Sequence, residues 1–170
     1  MTDSTLRSEA GVTADEFRTM MSGFPTGVAV TTTYLDGVPR GMTCSSMCSV
    51  TLEPPTLLVC LRVGSPTLEA IVKSGAFAVN LLHESARETA RLFASGNPDR
   101  FDLIDWESAP DSAGPHLVRD AGTVADCEVA LTQRVGDHVT VFGGVRRITD
   151  RDPRPPLLYG LRQFRSWSAI

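Results

Sequence analysis

No stretch of the 170-residue chain is apolar over anything near the roughly 20 residues that span a bilayer, and the opening MTDSTLRSEAG lacks an apolar signal core. The sequence therefore predicts a cytoplasmic protein without a membrane contact. Cysteine is sparse: Cys44 and Cys48 have finger-like spacing, but Cys60 and Cys127 form no second pair, and His83, His116 and His138 are scattered. No metal site or disulfide framework is expected, and buried free thiols account for all four. There is no G-x-G-x-x-G, no P-loop lysine after a glycine-rich turn and no G-x-S-x-G, which leaves Rossmann, kinase and serine-hydrolase readings without support. No internal repeat or low-complexity linker breaks the chain, so 1–170 is expected to be one domain, with 1–12 polar and flexible. A net charge of −4 argues against nucleic acid. The densest positive group, Arg146, Arg147, Arg151 and Arg154, is interleaved with Asp150 and Asp152 and reads as solvated surface.

What is present is ordinary globular material, 42% hydrophobic and 21% charged. Thr13-Ala14-Asp15-Glu16 fits a capping box opening a helix whose Phe17, Met20, Met21 and Phe24 should pack on the core before Pro25 ends it. Gly27 to Tyr34 alternates as a strand, Asp36-Gly37 marks a tight turn, and Pro39 to Cys44 returns as the hairpin partner. Thr56 to Leu61 is a third strand. Ser65-Pro66 starts a helix with Leu68, Ile71 and Val72 inward and Gly75 as terminator. Phe77 to Leu82 is a fourth strand with one polar intruder, Asn80, and Glu84 to Ser95 is a third helix whose apolar side is Ala86, Ala90, Leu92 and Phe93. Asp99 to Gly122 loses all pattern and suggests a long loop over a site or subunit contact. Val124 to Arg134 and His138 to Ile148 alternate about Gly136-Asp137, and Leu157 to Tyr159 is a last short strand. Six or seven strands joined mostly by hairpins, with short helices inserted, predict a mainly β, closed or partly closed antiparallel barrel.

Chemistry concentrates in Gly41 to Leu61. Thr43, Ser45, Ser46, Ser49 and Thr51 set hydroxyls among the small or apolar Met42, Cys44, Met47, Cys48 and Val50. Hydroxyls and free backbone N–H groups solvate an anion, and small neighbours let a ligand lie close. The residues alone leave a phosphate site and an ordinary edge strand both open. Cys44 reads as packing more readily than as a nucleophile. His138, just after a Gly-Asp turn, reads by itself as a hairpin surface residue.

Five motifs in order narrow the choice: Phe24-Pro25-Thr26-Gly27-Val28; Gly41-Met42-Thr43-Cys44-Ser45-Ser46; Ser49-Val50 before Pro54-Pro55; Phe77-Ala78-Val79-Asn80-Leu81; and Gly136-Asp137-His138. Together they resemble the flavin reductase family, in particular the small reductase components of two-component flavin monooxygenases of the hydroxyphenylacetate hydroxylase type. The resemblance covers Phe17 to Tyr159. It implies a homodimeric, FMN-binding split β-barrel with Greek-key-like order that uses NADH to reduce free FAD or FMN. The reduced flavin would go to a separate oxygenase or halogenase, in a setting such as natural-product biosynthesis. A non-catalytic flavin-binding redox sensor or electron-transfer module on the same barrel is the alternative. Carried over by motif, Pro25, Thr26, Gly27, Met42, Thr43 and Cys44 would lie along the flavin ring and ribityl chain, with Ser45 and Ser46 near the phosphate. Leu61, Arg62, Ser65 and Thr67 would frame the phosphate, Asn80 and Leu81 would hold the flavin from the fourth strand, and Arg100 would contact phosphate or pyrophosphate. His138 would position the nicotinamide, and Tyr159, in LLYGLRQF, would close the same pocket. The chain departs from the family's pattern at Gly144, Gln163 and Phe164.

Overall fold

The structure, a computed structural model, describes residues 11–151 and 154–167; of the segment expected to be flexible, 1–10 lies outside the described residues. Thr13 caps α1 (Ala14–Ser22): its Oγ1 accepts from the Glu16 N–H at 3.2 Å, and Glu16 Oε2 accepts from the Thr13 N–H at 2.8 Å. Local chemistry makes this helix, but the expected core packing is absent. Phe17, Met20, Met21 and Phe24 are all exposed, and α1 buries no residue.

After β1 (Thr26–Gly27), β2 (Ala29–Leu35) and β3 (Val38–Cys44) form the expected hairpin. Its two-residue turn holds Asp36 at φ 53° and Gly37 at φ 76°, the left-handed pair that matches strand twist. β4 (Met47–Leu52) pairs with β5 (Pro55–Arg62). It is an edge strand with almost no buried side chain, so it carries no hydrophobic period to read. In α2 (Pro66–Ser74) the Ser65 Oγ accepts from the Leu68 N–H at 3.1 Å, and Gly75 ends the helix at φ 73°. Val72, expected inward, is exposed, because the buried arc of Thr67, Leu68, Ala70 and Ile71 stops short of it. β6 (Ala76–Leu82) leads to α3 (Arg87–Ala94), which starts later than expected because 83–86 form a turn on the His83 carbonyl.

The stretch 99–120 is no free loop. β7 (Trp106–Glu107) pairs with β8 (His116–Leu117), Phe101, His116 and Leu117 are buried, and Gly114 sits so tightly that a Cβ would lie 2.5 Å from the Thr32 carbonyl oxygen. β9 (Ala121–Val135) and β10 (His138–Asp150) make the long hairpin, and β11 (Leu157–Gly160) is followed by an unforeseen β12 (Gln163–Ser166).

Seven strands form one antiparallel sheet in the order β3-β2-β6-β9-β10-β5-β4, and β1, β11 and β12 form a second. Flat, the outer strands of seven would stand about 29 Å apart. Here β3 and β4 are joined by Ser45 and Ser46 alone, a reach of about 11 Å at most, so the sheet curls enough to bring the end of β3 within that distance of the start of β4. One face carries Ala29, Val59, Phe77, Val79 and Val141 with Leu68 and Ile71 of α2; the other carries Val30, Ala78 and Val124 with Phe93 of α3 and Phe101.

Two expectations about charge and sulfur change. Arg147 and Arg151 are half-buried partners of Asp126 and Glu107, not solvated surface. Cys44 and Cys127 are buried, and burial pushes their thiols up to about 11 and about 12, whereas Cys60 is half-buried and Cys48 exposed. Among the described residues no helix is long and apolar enough to cross a membrane.

Candidate functional site

Along β3 the side chains alternate between two surroundings. Met42 and Cys44 face the inner cluster, while Gly41 and Thr43 face α3: a Cβ on Gly41 would meet Phe93 and Phe101, and Thr43 Oγ1 donates to the Ala90 carbonyl at 2.6 Å. The C-terminal turn of α3 thus separates two recesses that share this strand.

The smaller recess, about 330 Å³, is lined by Arg40, Gly41, Pro66, Thr67 and Arg100 among others. Arg100 is fixed by donating from Nη1 to the Gly41 carbonyl at 2.9 Å and from Nε to the Asn97 carbonyl at 2.6 Å. Burial, then the neighbouring charge of Arg40, hold its pKa below the usual arginine value. Two like charges beside the N-terminus of α2, the positive end of its dipole, make a surface that favours an anion. Ser65 ties that helix start to β3, its Oγ lying 3.6 Å from Met42 Sδ, and its N–H donates to the Arg62 carbonyl at 3.2 Å.

The larger cavity, about 680 Å³, lies between α3 and the β11–β12 hairpin. Val28, Thr43, Ser45 and Tyr159 line it, with Arg87 and Arg91 from α3 and Arg162, Gln163, Phe164 and Arg165 from the hairpin. The β1–β11 ladder sets Thr26 opposite Tyr159 and Gly27 opposite Leu158, and Pro25 lies against Gly160. Neither recess is lined by a carboxylate or a histidine among the described residues. Such walls bind anionic tails and flat rings, and leave the chemistry to what they bind.

His138 opens β10 outside both recesses, opposite Arg62 of β5, and its Nδ1 lies 2.8 Å from Asp137 Oδ1. That hydrogen bond holds the exposed Asp137 carboxyl below its usual range. The expected site residues thus fall into three groups: Thr43, Ser45 and Tyr159 with Pro25 to Gly27 beside them; Thr67 and Arg100 with Met42 and Ser65; and Arg62 with His138. Ser46 is exposed, and its carbonyl accepts from the Cys60 N–H at 2.9 Å. Leu81 is exposed beside Met47 in a shallow groove.

Three of the expected contact residues have their side chains turned into the interior. Cys44 and Leu61 belong to the inner core at 4% and 1% exposure. Asn80 is fully buried: Nδ2 donates to the Val30 carbonyl, Thr32 Oγ1 and the Pro115 carbonyl, and Oδ1 accepts from the Leu117 N–H at 2.8 Å. Its amide braces 115–117 on the sheet and has nothing left for a ligand. Sequence reasoning missed Arg40, Arg87, Arg91, Arg162 and Arg165. Local signals pointed to three of them: Arg40 immediately precedes the Gly41-Met42 motif, and Arg87 and Arg91 share a helix face at i, i+4.

Residues 21–168 match the family described as flavin reductase like domain. A flavin reductase (NADPH) from Lentzea aerocolonigenes is 48% identical over 163 residues, 95% of each chain. The reductase subunit HsaB of a flavin-dependent monooxygenase from Mycobacterium tuberculosis is 38% identical over 146 residues, 84% of this chain and 77% of that one. The NADH:FAD oxidoreductase SgcE6 of Streptomyces globisporus, solved with NAD and FAD fragments, is similar with a TM-score of 0.84 at 31% identity, over 90% of this chain and 92% of that one.

Proposed function

This chain belongs to the flavin reductase family, and on that premise we propose where it holds its two ligands and how it is assembled. It is an NAD(P)H-dependent flavin reductase: hydride passes from C4 of a dihydronicotinamide to N5 of free FAD or FMN, and the reduced flavin leaves for a separate flavin-dependent monooxygenase or halogenase. The curled sheet is the family's split barrel, working in the cytoplasm.

The carrying observation is that two arginine-lined recesses without carboxylates meet on one segment, Gly41 to Ser45, at the end of β3. A protein that brings together two ligands with anionic tails needs such a pair. The flavin phosphate sits at Arg40, Arg100 and the N-terminus of α2, where Thr67 faces it. The ring system lies along Met42 to Ser46, flanked by Pro25 to Gly27, and Tyr159 closes it. His138, its ring oriented by Asp137, hydrogen-bonds the nicotinamide carboxamide and fixes the approach of C4. No proton transfer is asked of the protein. Two chains pair through the uncovered apolar side of α1.

Steady-state oxidation of NADH and of NADPH with FAD, FMN and riboflavin in turn tests the reaction. Turnover that requires added flavin is the expected result. A rate equal to that of protein-free buffer with all three flavins overturns it, and a tightly retained flavin without multiple turnover assigns a sensor instead.

A further inference from the structure

The end of β9 is an open sheet edge. β6 pairs with β9 from Ala121 to Glu128 only, and the Val129 N–H donates to the Gly75 carbonyl at 2.8 Å, the last backbone hydrogen bond on that side among the described residues. From Ala130 to Val135 the strand has β10 on one side and, among the described residues, no strand on the other. The separation starts at a bulge: Val129 pairs with Gly143 and Leu131 with Phe142, so Ala130 is the extra residue, and a bulge bends the strand that carries it. Every residue from Ala130 to Val135 is exposed, over a length of about 20 Å. Edges of this kind are blunted by proline, lysine or clustered charge. Ala130-Leu131-Thr132-Gln133-Arg134-Val135 has one charge and no proline, and Leu131 and Val135 are 56% and 43% exposed.

The register decides what fits this edge. Leu131 lies in one row with Phe142, Leu58 and Cys48, and Val135 lies in another with His138 and Arg62, on the same face of the sheet. Leu131, Phe142, Leu58 and Val135 belong to neither core cluster, and Phe142 and Leu58 are only half-buried, so this face has no cover among the described residues. Opposed residues of an antiparallel pair share a face. A second copy running antiparallel along the edge and centred on Gln133 therefore sets Leu131 against the partner's Val135 and Thr132 against the partner's Arg134. Apolar side chains meet, no like charges face each other, and one two-fold contact closes both open edges. The same alignment adds the partner's Leu131 to the row of Val135, His138 and Arg62. One strand from each chain covers less area than a permanent interface needs, so the contact is reversible.

We propose that the open edge of β9 is a self-association surface, separate from α1, through which two copies join their sheets and each braces the arm that carries the other's His138. The bracing rests on the reductase function above; the contact itself does not.

The test is cross-linking in a Cys48→Ser background, which removes the exposed native thiol. Opposed Cα atoms of an antiparallel pair are about 4.5–5.5 Å apart, within disulfide range, so Gln133→Cys should give covalently linked pairs under mild oxidation. Thr132→Cys and Arg134→Cys, each diagonal to its own copy, should give at least about tenfold less. No linkage at 133, or preferred linkage at 132 or 134, overturns the proposal. In sedimentation, raising wild type from about 1 µM to about 1 mM should drive its mass towards twice the micromolar value. Leu131→Lys combined with Val135→Lys opposes like charges across the contact and should hold the mass constant with an unchanged melting temperature. A constant wild-type mass, or a rise that the lysines leave intact, also overturns the contact. With FMN as acceptor, linked and reduced Gln133→Cys should differ at least about twofold in KM for the nicotinamide dinucleotide and agree in KM for FMN. Equal KM values for the dinucleotide overturn the bracing of His138. Absence of turnover in wild type with every flavin counts against the reductase function instead, and the cross-linking result then decides the contact alone.

Discussion

His138 stands at the first position of β10 with Nδ1 2.8 Å from Asp137 Oδ1, so one ring nitrogen is oriented and the other is left for a ligand. Nothing in the core depends on it, since the side chain is 47% exposed. Removing it should therefore act on binding and leave folding alone. His138→Ala is expected to raise the KM for the nicotinamide dinucleotide about tenfold, the loss of one oriented hydrogen bond, with the KM for flavin and the melting temperature unchanged. Equal rises in both KM values in steady-state assays would remove His138 from its positioning role.

At the scale of elements, a buried carboxylate joins Asn80 in holding the stretch 99–120 to the sheet. Asp126 of β9 meets His116 Nε2 of β8 at 3.0 Å, the Ala113 N–H at 2.8 Å and Arg147 Nε of β10 at 3.0 Å, and Arg151 bridges His116 and Glu107 of β7. Burial alone would raise the Asp126 carboxyl, but hydrogen bonds from His116, Ala113 and Arg147 outweigh it and leave the group below its ordinary 3.8. Glu107 is lowered as well, by its hydrogen bond from Arg151. A carboxylate depressed by folding contributes stability above its unfolded value and loses it as pH falls through the folded one. The contribution is thus intact at neutral pH and fades below about 4. Asp126→Asn should cost roughly 3 kcal/mol at neutral pH and flatten the acid limb of melting temperature against pH; parallel limbs for variant and wild type would refute this. None of this network was legible in the sequence, because His116 lies in a segment without period and meets Asp126 only after the chain folds back. What was legible followed from local chemistry: the Thr13 and Ser65 caps, the Asp36-Gly37 turn and the long hairpin about Gly136. β4 and β12 escaped because edge strands with exposed side chains carry little hydrophobic signal. Asn80 misled for the opposite reason: a lone polar residue in an apolar strand marks either a ligand contact or an internal brace, and only its four hydrogen bonds decide for the brace.

For the molecule as a whole, charge and apolar surface point in different directions. Arginines concentrate around two recesses of a chain that is negative overall, which draws anionic ligands to those recesses and away from the rest of the surface. Apolar surface gathers on α1 and beside it, where Phe17, Met20 and Phe24 are 55%, 63% and 63% exposed although the capping box holds the helix in register. A capped helix with an uncovered apolar side gains little from folding on its own chain, and the pairing through α1 proposed above would cover it. Sedimentation of the purified protein at micromolar concentration should give twice the mass of one chain. Met20→Glu combined with Phe24→Glu places two charges in that contact and should yield monomers whose core melts as before, since neither side chain touches it. Loss of flavin reduction in those monomers would mean that the partner completes the site, and retained turnover would mean that each chain is sufficient. A wild-type protein that sediments as one chain would remove the pairing, and the apolar side of α1 would then require a different cover.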